Sequence, residues 1–439
     1  MINLKNILGK IHKITLAVFL IFSTFNALAS GRISVIRDSE LEDAINEIVS
    51  PLVKASGLQS LKIHILLDDS INAFTAGGNE IFLNSGTITM FKDPEIIRGI
   101  IAHEMGHVLG HHVLRKVEDV EGYNKVAGGG IAIGLISILT GNPILGIGAI
   151  AGGVNYAGAE SLMTSRVYES SADQAALKLL EKSGNSAAGL LKLLNYLSKT
   201  DPKGDGIQYD LTHPLSTDRI SAVTLFLKNS KFKSPTTPEN VRRKFLRAAY
   251  KLDAFTIPLA YDVQKSGDPE IDTYVSSIKS FRSGKLNESI ASINSLLESK
   301  PNDTYYNELK GQILFEFGRK DSFEYYDKAV KLSPNDPMIR LSRAVVRINI
   351  SKDPDHNAEV IDDLKFAISK EPDNIVPIYF LSVAYGKSGD EARSALYNAI
   401  MLFKQGNFKD AKMMAKAAIK GLQNGGTEWY KANDIIENP

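Results

Sequence analysis

The chain has 439 residues, 44% hydrophobic and 23% charged, the composition of a protein that folds in water as about three domains rather than of a polytopic membrane protein or a disordered one. Lys and Arg number 51 against 50 for Asp and Glu, so no overall positive field draws nucleic acid. Cysteine is absent, which excludes disulfide scaffolds, thiolate metal sites and cysteine nucleophiles, and leaves any metal to His, Asp or Glu.

Lys5, Lys10 and Lys13 precede an apolar run from Ile14 to Phe22, and Ala27-Leu28-Ala29 has the small-residue spacing of a cleavage site. Residues 1–29 therefore read as a secretory signal, with a mature chain starting at Ser30. A retained anchor is the competing reading, and the short apolar run argues against it. From Asp38 to Leu58 apolar residues recur at helical spacing through Leu41, Ala44, Ile45, Ile48, Val49 and Leu52. Strands are predicted over 61–67, 72–75 and 80–83, with a Gly77-Gly78-Asn79 turn, and together they form a small antiparallel sheet. Asp93-Pro94-Glu95 then supplies an N-cap, a proline at the first helical position and an acidic first turn, opening a helix expected to reach about Lys116.

Residues 126–159 carry no charge and are broken near the middle by Gly141-Asn142-Pro143, which predicts a helical hairpin. Each arm is too short to span a bilayer. Packing on the protein, contact with a membrane surface and insertion into it all remain open for it. Helices are predicted over about 160–182 and 186–199, and another after Thr237-Pro238-Glu239, on which Arg242, Arg243, Lys244 and Arg247 read as a solvated face. Residues 30–230 thus form an α-rich domain with a small sheet, and 231–267 are linker helices.

From residue 268 to the end at 439 the sequence is periodic. Pro301-Asn302-Asp303 and Pro334-Asn335-Asp336 are 33 residues apart, Pro372-Asp373-Asn374 follows after 38, and Gly284 and Gly318 are 34 apart. Such periods mean stacked helical pairs. The pattern resembles tetratricopeptide repeats, about four of them, although the aromatic consensus positions are mostly not met, and an insertion at 353–356 accounts for the longer period.

The chemistry is concentrated in His103-Glu104-Met105-Gly106-His107, an H-E-x-x-H that sets two imidazoles on one helix face with a carboxylate beside them. This is the arrangement that holds zinc, with Glu104 as the base that takes a proton from the attacking water. A metzincin-type third ligand would be a histidine at position 113, which is Val113, so His111 and His112 read as ordinary helix residues. Glu169 and Asp173 lie four apart in Arg166-Val167-Tyr168-Glu169-Ser170-Ser171-Ala172-Asp173. Glu169 can serve as a ligand while Asp173 accepts the outer N–H of a ligand histidine. Without the upstream motif the same segment would read as a surface helix.

H-E-x-x-H followed some 60 residues later by S-R-x-x-E-x-x-A-D resembles the gluzincin peptidases related to the CAAX prenyl protease, here as His103–His107 and Ser165–Asp173. Asn72-Ala73-Phe74 with Gly77-Gly78 is similar to the family's edge-strand region, and His213-Pro214 with Arg219 to its late H-P-x-x-x-x-R element. The resemblance covers about residues 35–225. It implies one zinc ion per chain held by His103, His107 and Glu169, Glu104 as base, Asp173 behind a ligand, and Arg219 toward substrate or transition state. His213 is either a resting-state ligand that keeps the enzyme latent or a substrate-site or structural histidine. With a signal before it and repeats after it, the chain resembles periplasmic protease-chaperones of Gram-negative bacteria. That implies unfolded or misassembled envelope proteins as clients and outer-membrane assembly machinery as a partner of the repeats. A chaperone or adaptor with a closed protease site is the alternative function.

Overall fold

The computed structural model describes residues 34–112, 159–199, 213, 215–350 and 357–437, over 159–165 for the backbone alone. The expected signal, nearly all of the uncharged segment and the insertion at 353–356 lie outside the described residues. Two compact units divide the chain between Val275 and Ser276.

In the first unit, β1 (Val35–Ile36) leads into α1 (Ser39–Ser56), capped by the Asp38 carboxylate, which accepts from the Leu41 amide at 2.8 Å. Leu41, Ala44, Ile45, Ile48, Val49 and Leu52 are all buried, as their spacing predicts. The sheet follows as β2 (Lys62–Leu66), β3 (Ala73–Thr75) and β4 (Glu80–Asn84), in the order β1-β2-β4-β3. It is mixed, not antiparallel throughout: β3 pairs antiparallel with β4, but β2 and β4 run parallel. The reason lies in burial. Ile81 to Asn84 of β4 are all buried, so this strand takes the centre, while the short, partly exposed β3 is left on the edge.

Next come α2 (Ser85–Phe91) and α3 (Pro94–Leu109). The Asp93 carboxylate caps α3 by accepting from the Glu95 amide at 2.9 Å. Every residue from Pro94 to Val108 is buried, so α3 is the central helix of the unit. It ends at Leu109 rather than near Lys116, because Gly110 and then His111, at φ 52° in the left-handed region, turn the chain. The unit continues with α4 (Ala159–Lys182), α5 (Ala188–Leu197), α6 (Thr217–Asn229), α7 (Glu239–Thr256) and the start of α8 (Pro269–Arg282).

Two glycines let neighbours approach α3 closely. A Cβ on Gly99 would lie 2.6 Å from the Leu190 amide nitrogen of α5, and one on Gly106 would lie 2.5 Å from the Ala172 carbonyl oxygen of α4. Three residues of the basic run on α7 are paired rather than simply solvated. Lys244 reaches Asp43 and Glu47 at 2.7 Å each, Arg247 pairs with buried Glu40, and Arg243 with Asp268 and Glu270, so the charges are spent on α1 and the start of α8.

In the second unit, helices α9 (Leu286–Ser299), α10 (Thr304–Glu316), α11 (Ser322–Leu332), α12 (Pro337–Ile350), α13 (Asn357–Lys370), α14 (Ile375–Lys387), α15 (Glu391–Lys404), α16 (Phe408–Ala418) and α17 (Thr427–Glu437) follow one another. The periodic Pro-Asn-Asp signal is a capping device. Asp303, Asp336 and Asn374 accept from the first amides of α10, α12 and α14, at 2.9–3.1 Å. Gly284 and Gly318 hold left-handed conformations at the turns, where a side chain would be strained. Gly311 lets the Tyr326 ring of α11 seat on α10, since a Cβ there would lie 2.8 Å from it. Ala344, Ala367, Ala411 and Ala418, on α12, α13 and α16, are fully buried in the continuous core of the later helices.

Candidate metal centre

His103 and His107 lie one turn apart on α3, with Nε2 atoms 3.2 Å from each other. The close approach at Gly106 and Ala172 brings α4 against this face, and Glu169, one turn before Asp173, sets its carboxylate 3.2 Å from His103 Nε2 and 3.3 Å from His107 Nε2. His213 brings Nδ1 to 3.3 Å from His103 Nε2 and 3.2 Å from Glu169. All four residues are buried, and one ligand atom from each falls within 4.8 Å of the others.

The donor set fits a metal. A tetrahedral ion with ligand bonds of about 2.0–2.1 Å sets its ligand atoms roughly 3.3 Å apart, which matches these separations. Three imidazole nitrogens turned toward one point also have too few protons to satisfy one another by hydrogen bonding.

Around the cluster, His103 Nδ1 donates to Asp173 Oδ1 at 2.9 Å, which leaves Nε2 facing inward. Arg219 of α6 is buried. Its Nε and Nη2 donate to the two Asp173 oxygens at 2.7 and 3.0 Å, and Nη1 lies 3.1 Å from Glu169 Oε2. The guanidinium, expected toward a bound substrate, is thus directed at the carboxylates. Glu104 is buried next to the cluster, with Oε1 3.4 Å from His213 Nε2, and the same Nε2 lies 3.2 Å from the Ala73 carbonyl of β3.

The electrostatics of the cluster are set by burial and by the charged groups packed against it. Burial would lower His103, but Asp173 and Glu169 outweigh it and push its pKa up to about 10. Burial, helped by His103 and His213, depresses His107 to about 3 against the pull of Glu169. Glu169 is held far below the usual carboxylate range, because the three histidines overcome the cost of burying it. Asp173 is lowered to about 2, its bonds to His103 and Arg219 prevailing over burial.

His112 is not an ordinary helix residue: it is buried, its Nδ1 lies 3.0 Å from His107 Nδ1, and its ring stacks on Tyr168, with centroids 4.8 Å apart. His111 is exposed. The available signal was Gly110, which announces a break after which a histidine five positions beyond His107 can fold back.

Residues 38–225 match the model of peptidase family M48. The beta-barrel assembly-enhancing protease of Escherichia coli is 27% identical over 196 residues, 44% of this chain and 40% of that protein. Metalloprotease LoiP of E. coli is 27% identical over 190 residues, 42% of this chain and 70% of that protein. A Protease HtpX homolog of Bacteroides fragilis is 40% identical over 73 residues, 16% of this chain and 22% of its own length. The chain spans about two fifths of the length of the curated relatives it matches first. Among solved structures, a tetratricopeptide repeat protein from Parabacteroides merdae overlaps 63% of this chain and 97% of its own at 11% identity and a TM-score of 0.25, too low to add to what the helices themselves display. The matched residues contain the whole cluster of histidines and acids. Among the described residues, no helix is long and apolar enough to cross a membrane.

Proposed function

We propose that the protein is a zinc endopeptidase of the cell envelope that cleaves misfolded or misassembled proteins, outer-membrane proteins among them. The observation that carries the reading is the buried convergence of His103, His107 and Glu169 beside Glu104. His103, His107 and Glu169 hold the ion, Asp173 fixes the His103 ring, and Arg219 holds Asp173 and Glu169 in place. When bound, zinc supplies Lewis acidity that polarises the scissile carbonyl and lowers the pKa of the attacking water. Glu104 takes the water proton and passes it to the leaving amine. A substrate strand added along β3, an edge strand of the sheet among the described residues, would be held by backbone hydrogen bonds with little demand on sequence, which suits unfolded clients. The envelope assignment rests on the signal-like residues 1–29 and on the names of the relatives, and the stacked helical pairs are the surface for clients or assembly machinery.

Zinc content and casein cleavage test the reading. Wild type should hold one zinc per chain, retain it as Glu104→Gln and lose much of it as Glu169→Ala, with cleavage lost in both variants. Zinc-free wild type would sink it.

A second reading, a chaperone or adaptor whose protease site rests closed, is favoured by His213. Its Nδ1 fills a fourth corner of the cluster, the position a catalytic zinc keeps for water and substrate. On this reading His213→Ala accelerates cleavage of casein and of native clients. Unchanged cleavage of both would count against latency.

A further inference from the structure

We propose that His112 is the positioning residue of His107, accepting the Nδ1–H of that ligand and so fixing the tautomer that turns Nε2 toward the metal. The inference rests on the zinc reading above.

A metal-binding imidazole presents one nitrogen to the ion and donates through the other, and the partner of that second nitrogen sets the ring's orientation and basicity. For His103 the partner is Asp173. For His107, among the described residues, it is His112 Nδ1 at 3.0 Å. Two facing Nδ1 atoms share one proton. With the Nε2 lone pair of His107 given to the ion, that proton sits on His107 Nδ1, and His112 carries its own on Nε2.

Three further features seat the His112 ring. Gly110 leaves room for it, since a Cβ there would lie 2.2 Å from His112 Nε2. His111 adopts φ 52°, a conformation that costs a non-glycine residue and that turns the chain where His112 meets His107. Tyr168, the neighbour of Glu169 on α4, stacks on the ring at 4.8 Å with planes 27° apart. The one-residue offset from the metzincin spacing thus has a consequence: a histidine at 112 reaches the back of His107.

The test is zinc affinity of the purified full chain by chelator competition. His112→Phe keeps ring and stacking but removes the acceptor, and should weaken zinc binding by about 10–100-fold. His112→Asn offers an amide oxygen near the lost Nδ1 and should stay within roughly threefold of wild type. Gly110→Ala should resemble His112→Phe. Metal-free melting curves matched to wild type separate this effect from a folding defect. Nitrogen NMR of zinc-loaded wild type should find His107 protonated on Nδ1 and His112 on Nε2, and this readout decides the matter even if the variants fail to fold. His112→Phe binding zinc like wild type, His112→Asn falling as far as His112→Phe, or His112 protonated on Nδ1 would each overturn the proposal. Wild type without zinc would overturn the reading beneath it, so the two failures are distinguishable.

Discussion

His103 and His107 share a helix face and the same depth of burial, yet their surroundings drive them in opposite directions. Asp173 and Glu169 raise His103 to about 10, while desolvation and two neighbouring imidazoles depress His107 to about 3. The linkage follows for the metal-free protein. Between pH 6.5 and 10 folded His103 holds a proton that the unfolded chain has lost, so its contribution to stability is complete below 6.5 and is lost as pH rises toward 10. Between pH 3 and 6.5 the unfolded chain protonates His107 and the folded one does not, so stability falls as pH drops through that range. The metal-free first unit should therefore melt highest near pH 6.5. His103→Gln should remove the alkaline limb of the melting profile, and an unchanged limb would mean that His103 is not the charged member of the cluster.

At the scale of elements, what places Glu169 is the contact between α3 and α4, and Gly106 sets its closeness. Alanine there gains roughly 1 kcal/mol of helix propensity, but its Cβ would meet a backbone oxygen at 2.5 Å, which cannot rotate away. Overpacking of this kind costs about 1–3 kcal/mol, relieved only by moving the helices apart. Gly106→Ala should thus lower the melting temperature and weaken zinc binding together; a variant with wild-type values of both would show that the helices are not held at this point. Much of this was legible in the sequence. H-E-x-x-H puts its histidines on one face by helical period alone, Asp93-Pro94-Glu95 starts its helix by local capping, and Pro-Asn-Asp marks the start of α10 and α12 for the same reason. What was not legible depends on partners remote in sequence. The parallel pairing of β2 with β4 is decided by which strand is buried, and the basic residues of α7 become structural only because Glu40, Asp43 and Glu47, some two hundred residues earlier, carry the opposite charge on α1. The early end of α3 and the return of His112 depend on a left-handed His111, a residue type that gives little warning of that conformation.

For the whole molecule, the metal ligands all belong to the unit that ends at Val275, whereas the later helices close a core of their own from Leu341 to Ile435. A ligand that binds only the folded form stabilises what it binds, by about 2.7 kcal/mol at a hundredfold excess over Kd. Zinc should accordingly act on one part of the unfolding profile. Calorimetry of the full chain should show two transitions, of which only one moves upward with zinc and downward with a chelator, and Glu169→Ala should make that transition insensitive to both. The zinc-insensitive transition should persist in a chain beginning at Ser266, just before the cap of α8, because the helix-capping pattern and the buried alanines that hold the repeats together all lie beyond that point. A single transition shifted as a whole by zinc would instead mean that the repeats unfold with the first unit, and that metal loading reports on the entire chain.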